Sequence, residues 1–216
     1  RYAVQTGRLM HNPAADLKGI LKGRKTKHRD SLPREELPGF LDALSGYENQ
    51  GRLITKLAIQ LLLLTFVRSG ELRGAKWEEF DLDQKLWRIP GDRMKMKTDH
   101  LVPLSDQALA VINQIKEISG QYELVFPSER NRFEAMSDNT MRRAIFKLGY
   151  DGNTPGKSKA VPHGFRATAS SILNEEGFNP DAIERQLSHQ ERNGVRAAYT
   201  HHARYLDDRK EMMQWW

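Results

Sequence analysis

The run from Leu53 to Val67, LITKLAIQLLLLTFV, is apolar almost all the way round a helix. A surface helix carries one apolar stripe, whereas a helix apolar on every side has to be enclosed by other elements. The run is shorter than the about 20 residues that cross a bilayer, and Lys56, Gln60 and Thr65 interrupt it. It therefore reads as a core helix around which the rest of the chain must wrap. With 216 residues the chain can bury a core of that kind.

The flanking sequence supplies the wrapping elements. Ser31-Leu-Pro-Arg-Glu-Glu signals a helix start, with a cap residue, an early proline and acids near the positive end of the dipole. That helix is expected to reach Ser45-Gly46. Between Trp77 and Pro103 the period changes: KLWRIP and HLVPLS alternate and read as a hairpin around the basic turn GDRMKMKTD. SDQALAVINQIKEIS returns to helical period with Ser105 as cap, LVFPS is a candidate short strand, and SDNTMRRAIFKLG is a helix stopped by Gly149. After the loop DGNTPGKSKAVP, three more helical segments finish the chain, and there is no internal repeat. The expected fold class is mainly α with a small antiparallel β-sheet.

Lysine and arginine number 34 against 28 acidic residues, a net charge of +6. That balance suits a polyanionic partner. The basic run LKGRKTKHRD has little to bury and suits either a solvated linker or a strap, around Lys22–Lys27, on backbone phosphates. The absence of cysteine excludes disulfides, a thiol nucleophile and cysteine-based zinc sites, and accords with a reducing cytoplasm. There is no signal peptide and no membrane-spanning segment in the sequence. The opening RYAVQTGRLM and the end at Trp215-Trp216 read as cuts from a longer protein.

Several residues carry chemistry. In VPHGFRATASSILNEEGF, His163 and Arg166 stand three apart where an apolar helix begins, so both face one spot, either to cap the helix or to grip an anion. In TFVRSGELRG, Arg68 follows the apolar run; there it could satisfy the last helix carbonyls, and Glu71 one turn on could hold its guanidinium by a bidentate pair. QLSHQERNGVRAAYTHH contributes His189 and, about three helical turns later, Tyr199. Each is unremarkable alone, as a helix-end histidine and an amphipathic tyrosine. His201-His202 has no carboxylate or thiol set at metal-ligand spacing, so no metal and no cofactor is expected.

The order Arg68, basic hairpin, His163-x-x-Arg166, His189, Tyr199 resembles the signature of tyrosine recombinases, the phage integrase family. The resemblance rests on RSGELRGAKWEEFDL, HGFRATASSILNEEG and LSHQERNGVRAAYTHHARYLDDRKEMMQWW, and covers roughly residues 31–216. The last two stretches look closest to integrases of satellite phages and genomic islands in Gram-negative bacteria. The resemblance implies a catalytic domain over 31–216, preceded at 1–30 by the end of a core-binding domain and its linker.

It further implies a site-specific recombinase that cleaves DNA through a 3′-phosphotyrosyl link. Arg68 and Arg166 would hold the non-bridging oxygens, whose geometry matches the planar guanidinium fork. His163 would act as general base and His189 would donate to a non-bridging oxygen, while a hairpin lysine would protonate the leaving oxygen. Lys95 fits the family spacing better than Lys97, and Tyr199 better than Tyr205. Since the bond energy stays in the covalent link, neither ATP nor metal is called for. The implied partners are double-stranded DNA attachment sites, further protomers in a tetramer on DNA, an excisionase and a DNA-bending host factor, in the bacterial cytoplasm or nucleoid. A type IB topoisomerase shares the chemistry, and a basic DNA-binding domain without catalysis is the plainer alternative. Without its partner domain, this portion is expected to bind DNA weakly, with little sequence preference, and as a monomer.

Overall fold

The apolar run forms a single helix over Leu53–Thr65 at the centre of the computed structural model, which describes residues 2–15, 30–94, 97–189 and 205–216. Lys95, Tyr199, His201, His202 and the basic stretch 22–27 lie outside the described residues. Among the described residues the helices are, in chain order, α1 (Tyr2–Gln5), α2 (Leu37–Ser45), α3 (Leu53–Thr65), α4 (Ser69–Arg73), α5 (Asp106–Ser119), α6 (Asp138–Lys147), α7 (Gly164–Glu175), α8 (Pro180–Gln186) and α9 (Leu206–Trp215). Strands β1 (Phe80–Asp81), β2 (Leu86–Ile89) and β3 (His100–Pro103) form one antiparallel sheet in the order β1-β2-β3. The chain is thus mainly helical with a small sheet, as its sequence leads one to expect. Among the described residues no helix is long and apolar enough to cross a membrane.

Burial explains the central place of α3. Leu57, Ala58, Ile59, Leu61 and Leu62 are at most 1% exposed. Truncating one of these leucines to alanine is expected to cost about 2–5 kcal/mol. Two of the three polar interruptions, Lys56 and Thr65, are satisfied locally. Lys56 Nζ donates to the Ser45 carbonyl (2.8 Å) and to Glu48 (2.6 Å), and the Thr65 hydroxyl donates to the Leu61 carbonyl (2.7 Å). Around α3 the main core gathers Phe40 and Leu44 of α2, Trp87 and Ile89 of β2, Ile112 and Ile115 of α5, Met141 and Ile145 of α6, and Phe165. A second, smaller core joins Phe66, Ala169, Leu173, Ile183, Leu187, Met212 and Met213, and it draws together the two helices that follow residue 163 and the one that ends at Trp215.

Three local expectations change. The first turn of the Ser31 helix is a 3-10 turn over Arg34–Glu36, and Pro33 rather than Ser31 precedes it, because Pro38 at the start of α2 removes an N–H from the regular ladder. The LVFPS segment makes only isolated bridges, Lys76 with Leu124 and Pro127 with Ala135, and no named strand. Arg68 does not close the apolar helix. It is the residue before α4, because Phe66 turns the chain with φ 57° and ψ 15° and ends α3 at Thr65. A left-handed phenylalanine costs about 1–3 kcal/mol. Burial of its ring offsets that cost: Phe66 is 1% exposed and meets Trp216 edge-on at 4.9 Å between centroids.

Candidate active site

The site lies at the seam between the two cores. The left-handed turn at Phe66 points its carbonyl at the guanidinium of Arg166, which enters from the first turn of α7. The second left-handed turn, Ser188 with φ 51°, follows α8. It offers successive carbonyls: Leu187 accepts from Arg166 Nη2, and Ser188 accepts from Arg68 Nη2 at 3.1 Å. Two arginines nearly 100 residues apart in sequence are thereby fixed on adjacent peptide units of one turn.

Each guanidinium has a different environment. Arg68 is held by Glu71, whose Oε1 accepts from Nη1 (2.6 Å) and whose Oε2 accepts the Arg68 backbone N–H (2.8 Å). The carboxylate therefore spends one oxygen on the side chain and the other on the start of α4, in place of the bidentate fork expected. The Arg68 side chain keeps 25% exposure while that of Glu71 keeps 4%. Arg166 is 5% exposed. Burial, and then the neighbouring charge of Arg68, lower its pKa to about 10. It still carries its charge at neutral pH.

The histidines sit differently. His189 follows Ser188 directly, and its Nε2 lies 3.4 Å from Arg166 Nη2 while Nδ1 pairs with Glu184 Oε2 at 2.8 Å. Both contacts are satisfied when Nδ1 carries the proton and Nε2 accepts from the guanidinium. His163 is the residue before α7 and is exposed, whereas Arg166 on the same turn is buried, so the pair separates into an open ring and an enclosed guanidinium. Between them Gly164 is sterically required: a Cβ there would stand 2.0 Å from the Asp30 carbonyl oxygen. The chain at Asp30 and Ser31 thus packs directly on the head of α7.

The structure therefore brings together Arg68, Arg166 and His189, with His163 at the head of the helix that carries Arg166. Lys95 and Tyr199 lie outside the described residues. Lys97 is described; its Nζ donates to the Asp92 carbonyl at 3.0 Å. Tyr205 precedes α9 and donates its hydroxyl to Asp181 at 3.1 Å.

Other residues at the site carried no signal in the sequence. Glu184, five residues before His189, fixes its ring. His100 at the start of β3 is 7% exposed, and its Nε2 has no hydrogen-bond partner. Burial, then the charges of Arg209, Arg166 and Arg68, push its pKa down to about 3, so it is neutral at physiological pH. Arg209 on α9 is 3% exposed and donates to Gln186 Oε1 (Nη2 at 2.7 Å) and to the Leu101 carbonyl, while Gln186 donates to the Thr65 carbonyl at 2.8 Å. Flanked by Asp207, Asp208 and Lys210, Arg209 looks in the sequence like part of a solvated face.

Known proteins share both the sequence and the fold. The model of the phage integrase family matches residues 30–205. The integrase of Enterobacteria phage P4 is 48% identical over 229 residues, covering 100% of this chain and 51% of the phage protein. The chain thus spans about half the length of that relative. The Tn1549 transposon integrase in complex with transposon right end DNA has a TM-score of 0.69 at 18% identity, over 98% of this chain and 74% of that one. A lambda integrase tetramer bound to a Holliday junction has a TM-score of 0.65 at 19% identity, over 90% of this chain and 56% of that one. A family match across most of the chain, together with a relative nearly half identical along all of it, establishes that this chain belongs to the phage integrase family.

Proposed function

We propose that residues 31–216 form the catalytic domain of a site-specific DNA recombinase that cuts and rejoins strands through a 3′-phosphotyrosyl link to Tyr199. The observation that carries this reading is the pair of arginines anchored on the Leu187 and Ser188 carbonyls, with His189 next in the chain. Attack on a phosphodiester gathers negative charge on the non-bridging oxygens. Prearranged cationic donors aimed at that charge are the strongest lever a fold can supply, about 10²–10³ in rate per donor.

In this reaction Arg68 and Arg166 take the two non-bridging oxygens, and His189, with a proton on Nε2 as well as Nδ1, donates to one of them when phosphate replaces the Arg166 contact. His163 accepts the proton of the Tyr199 hydroxyl, whose ordinary pKa is about 10. The tyrosine oxygen bonds to phosphorus, the bond to the 5′-oxygen breaks, and Lys95 supplies the proton to that oxygen. Rejoining runs the same steps backwards with a partner strand.

Residues 1–30 are the end of a core-binding domain and its linker in this account. The partner is a double-stranded attachment site, bound by a tetramer with an excisionase and a bending protein as accessories, in the cytoplasm or nucleoid. The net charge of +6 supports a nucleic-acid partner.

The test is a nicked duplex that loses its leaving strand on cleavage and traps the adduct. Wild type should form a covalent protein–DNA species, Tyr199→Phe should form none while still binding DNA, and the labelled peptide should contain Tyr199. A label on Tyr205 would move the nucleophile, and no adduct with any attachment core would leave a binding domain.

A further inference from the structure

Arg93 stands in the turn between β2 and β3 and makes three contacts, two of them to α4, which follows Arg68. Its guanidinium donates to the carbonyls of Glu71 (2.6 Å) and Gly74, at the middle and the end of α4, and to Glu79 Oε1 (2.7 Å). Glu79 is 6% exposed and accepts from Trp87 Nε1 of β2 through its other oxygen at 2.9 Å. One side chain thus bolts the hairpin to α4, the short helix that Arg68 directly precedes. The anchoring continues at the next residue, since Met94 is 2% exposed. On the far side, Gly91 N–H donates to Asp99 Oδ1 at 2.8 Å and closes the base of the turn. Arg93 and Met94 are then the last anchored residues before Lys95 in the sequence.

A guanidinium suits this task for a physical reason. Its five donors lie in one rigid plane and can satisfy two carbonyls and a carboxylate at once, which an ammonium on a flexible stem cannot hold in fixed directions. The same carboxyl-bearing residue, Glu71, binds Arg68 through its side chain and Arg93 through its backbone carbonyl. A shift of the hairpin is therefore felt at Arg68, and a shift of α4 is felt at the hairpin.

We infer that Arg93 is a positioning residue that ties the lysine-bearing hairpin to the helix headed by Arg68, and so sets the reach of the lysine to the leaving 5′-oxygen. This rests on the proposed strand cleavage. In that step the tyrosine oxygen bonds to phosphorus, the bond from phosphorus to the 5′-oxygen breaks, and the oxygen takes its proton from the lysine. With sulfur in place of that oxygen, the thiolate leaves without a proton. A residue that acts by placing the lysine should thus matter on the oxygen substrate and lose its importance on the sulfur one.

The experiment is single-turnover adduct formation by wild type, Arg93→Ala, Arg93→Lys and Arg68→Ala on an ordinary duplex and on one with a 5′-bridging phosphorothiolate. Arg93→Ala is expected to slow the ordinary substrate by about 10–10²-fold, a part of the about 10²–10⁴-fold that general-acid catalysis contributes, and to come within about threefold of wild type on the sulfur substrate. Arg93→Lys keeps the charge opposite Glu79 but loses the fork, so it carries the test if Arg93→Ala does not fold, with the same pattern at smaller amplitude. Arg68→Ala should stay slow on both. Equal defects of the Arg93 variants on both substrates, or wild-type rates on the ordinary one, overturn the inference. If wild type forms no adduct on either duplex, the recombinase reading itself falls, a result distinct from failure of the Arg93 variants alone.

Discussion

Two kinds of nitrogen side chain meet in this site, guanidinium and imidazole, and the fold treats them oppositely. Arg166 is 5% exposed and is held by carbonyls of Phe66 and Leu187, whereas the His189 side chain keeps 47% exposure and leans on an exposed glutamate. A buried charge is tolerated only where polar groups replace its water, and here two left-handed turns supply those groups from the backbone. The arginine half is thus part of the folded framework, and the histidine half is laid on its rim. The lesson is a division of labour. The guanidinium of Arg166 is fixed before any substrate arrives, and the imidazole of His189 stands where solvent reaches it.

That contrast can be broken most forcefully at the arginines. Arg68→Ala and Arg166→Ala should each reduce single-turnover adduct formation by about 10²–10³ or more, and lysine should restore little because it lacks the fork. Arg166→Ala should in addition lose about 1–3 kcal/mol of stability in chemical denaturation, as two buried carbonyls lose their donor. Near-wild-type cleavage by Arg68→Lys would show that the fork is not used.

At the rim the catalytic loss should be smaller and come without a loss of stability. His163→Ala and His189→Ala are expected to slow cleavage by about 10²-fold, the lower end of what an acid–base group contributes, while unfolding within about 0.5 kcal/mol of wild type. A histidine variant that unfolds as readily as Arg166→Ala would erase the distinction between framework and rim.

The buried side has its own pH signature through His100. Its native pKa of about 3 lies below the ordinary 6.5. As pH falls through 6.5 the unfolded chain takes up a proton that the native state refuses, so stability is full above that value and declines towards pH 3. Between pH 6.5 and pH 5 this amounts to about 2 kcal/mol. Urea titrations across that window should show a shallower decline for His100→Asn than for wild type; identical slopes would place the acid sensitivity elsewhere.

The smallest expected effect is at Glu184. Exposed ion pairs contribute little, so Glu184→Gln should lower cleavage only about two- to fivefold, through looser orientation of the His189 ring. A collapse as large as that of the arginine variants would mean that the rim is as tightly built as the framework.

How much of this was legible in the sequence differs between the same two regions. The helices α3, α5 and α6 announce themselves through apolar period, the Ser105 cap and Gly149, because those signals are local. Arg68, Arg166 and His189 stand out through their order and motif context. Glu71 as a partner of Arg68 was legible, but the rest of the framework was not, since its acceptors are the main-chain carbonyls of Phe66, Leu187 and Ser188, and every residue has one. Nor was the end of α3: the apolar period runs straight on through Phe66 and Val67, and a left-handed phenylalanine gives none of the warning a glycine would. Arg93 and Arg209 look like ordinary surface cations until tertiary contacts enclose them.

The central claim is that the two arginines act by neutralising charge on the scissile phosphate. The direct measurement is single-turnover cleavage, by wild type and Arg166→Ala, of a duplex whose scissile phosphate is replaced by an uncharged methylphosphonate. On the ordinary phosphodiester the variant should be slower than wild type by about 10²–10³, and on the methylphosphonate that ratio should collapse to within about tenfold, because one charge fewer needs an arginine. An undiminished ratio on the neutral linkage would contradict the account, and would leave Arg166 as a support of the fold.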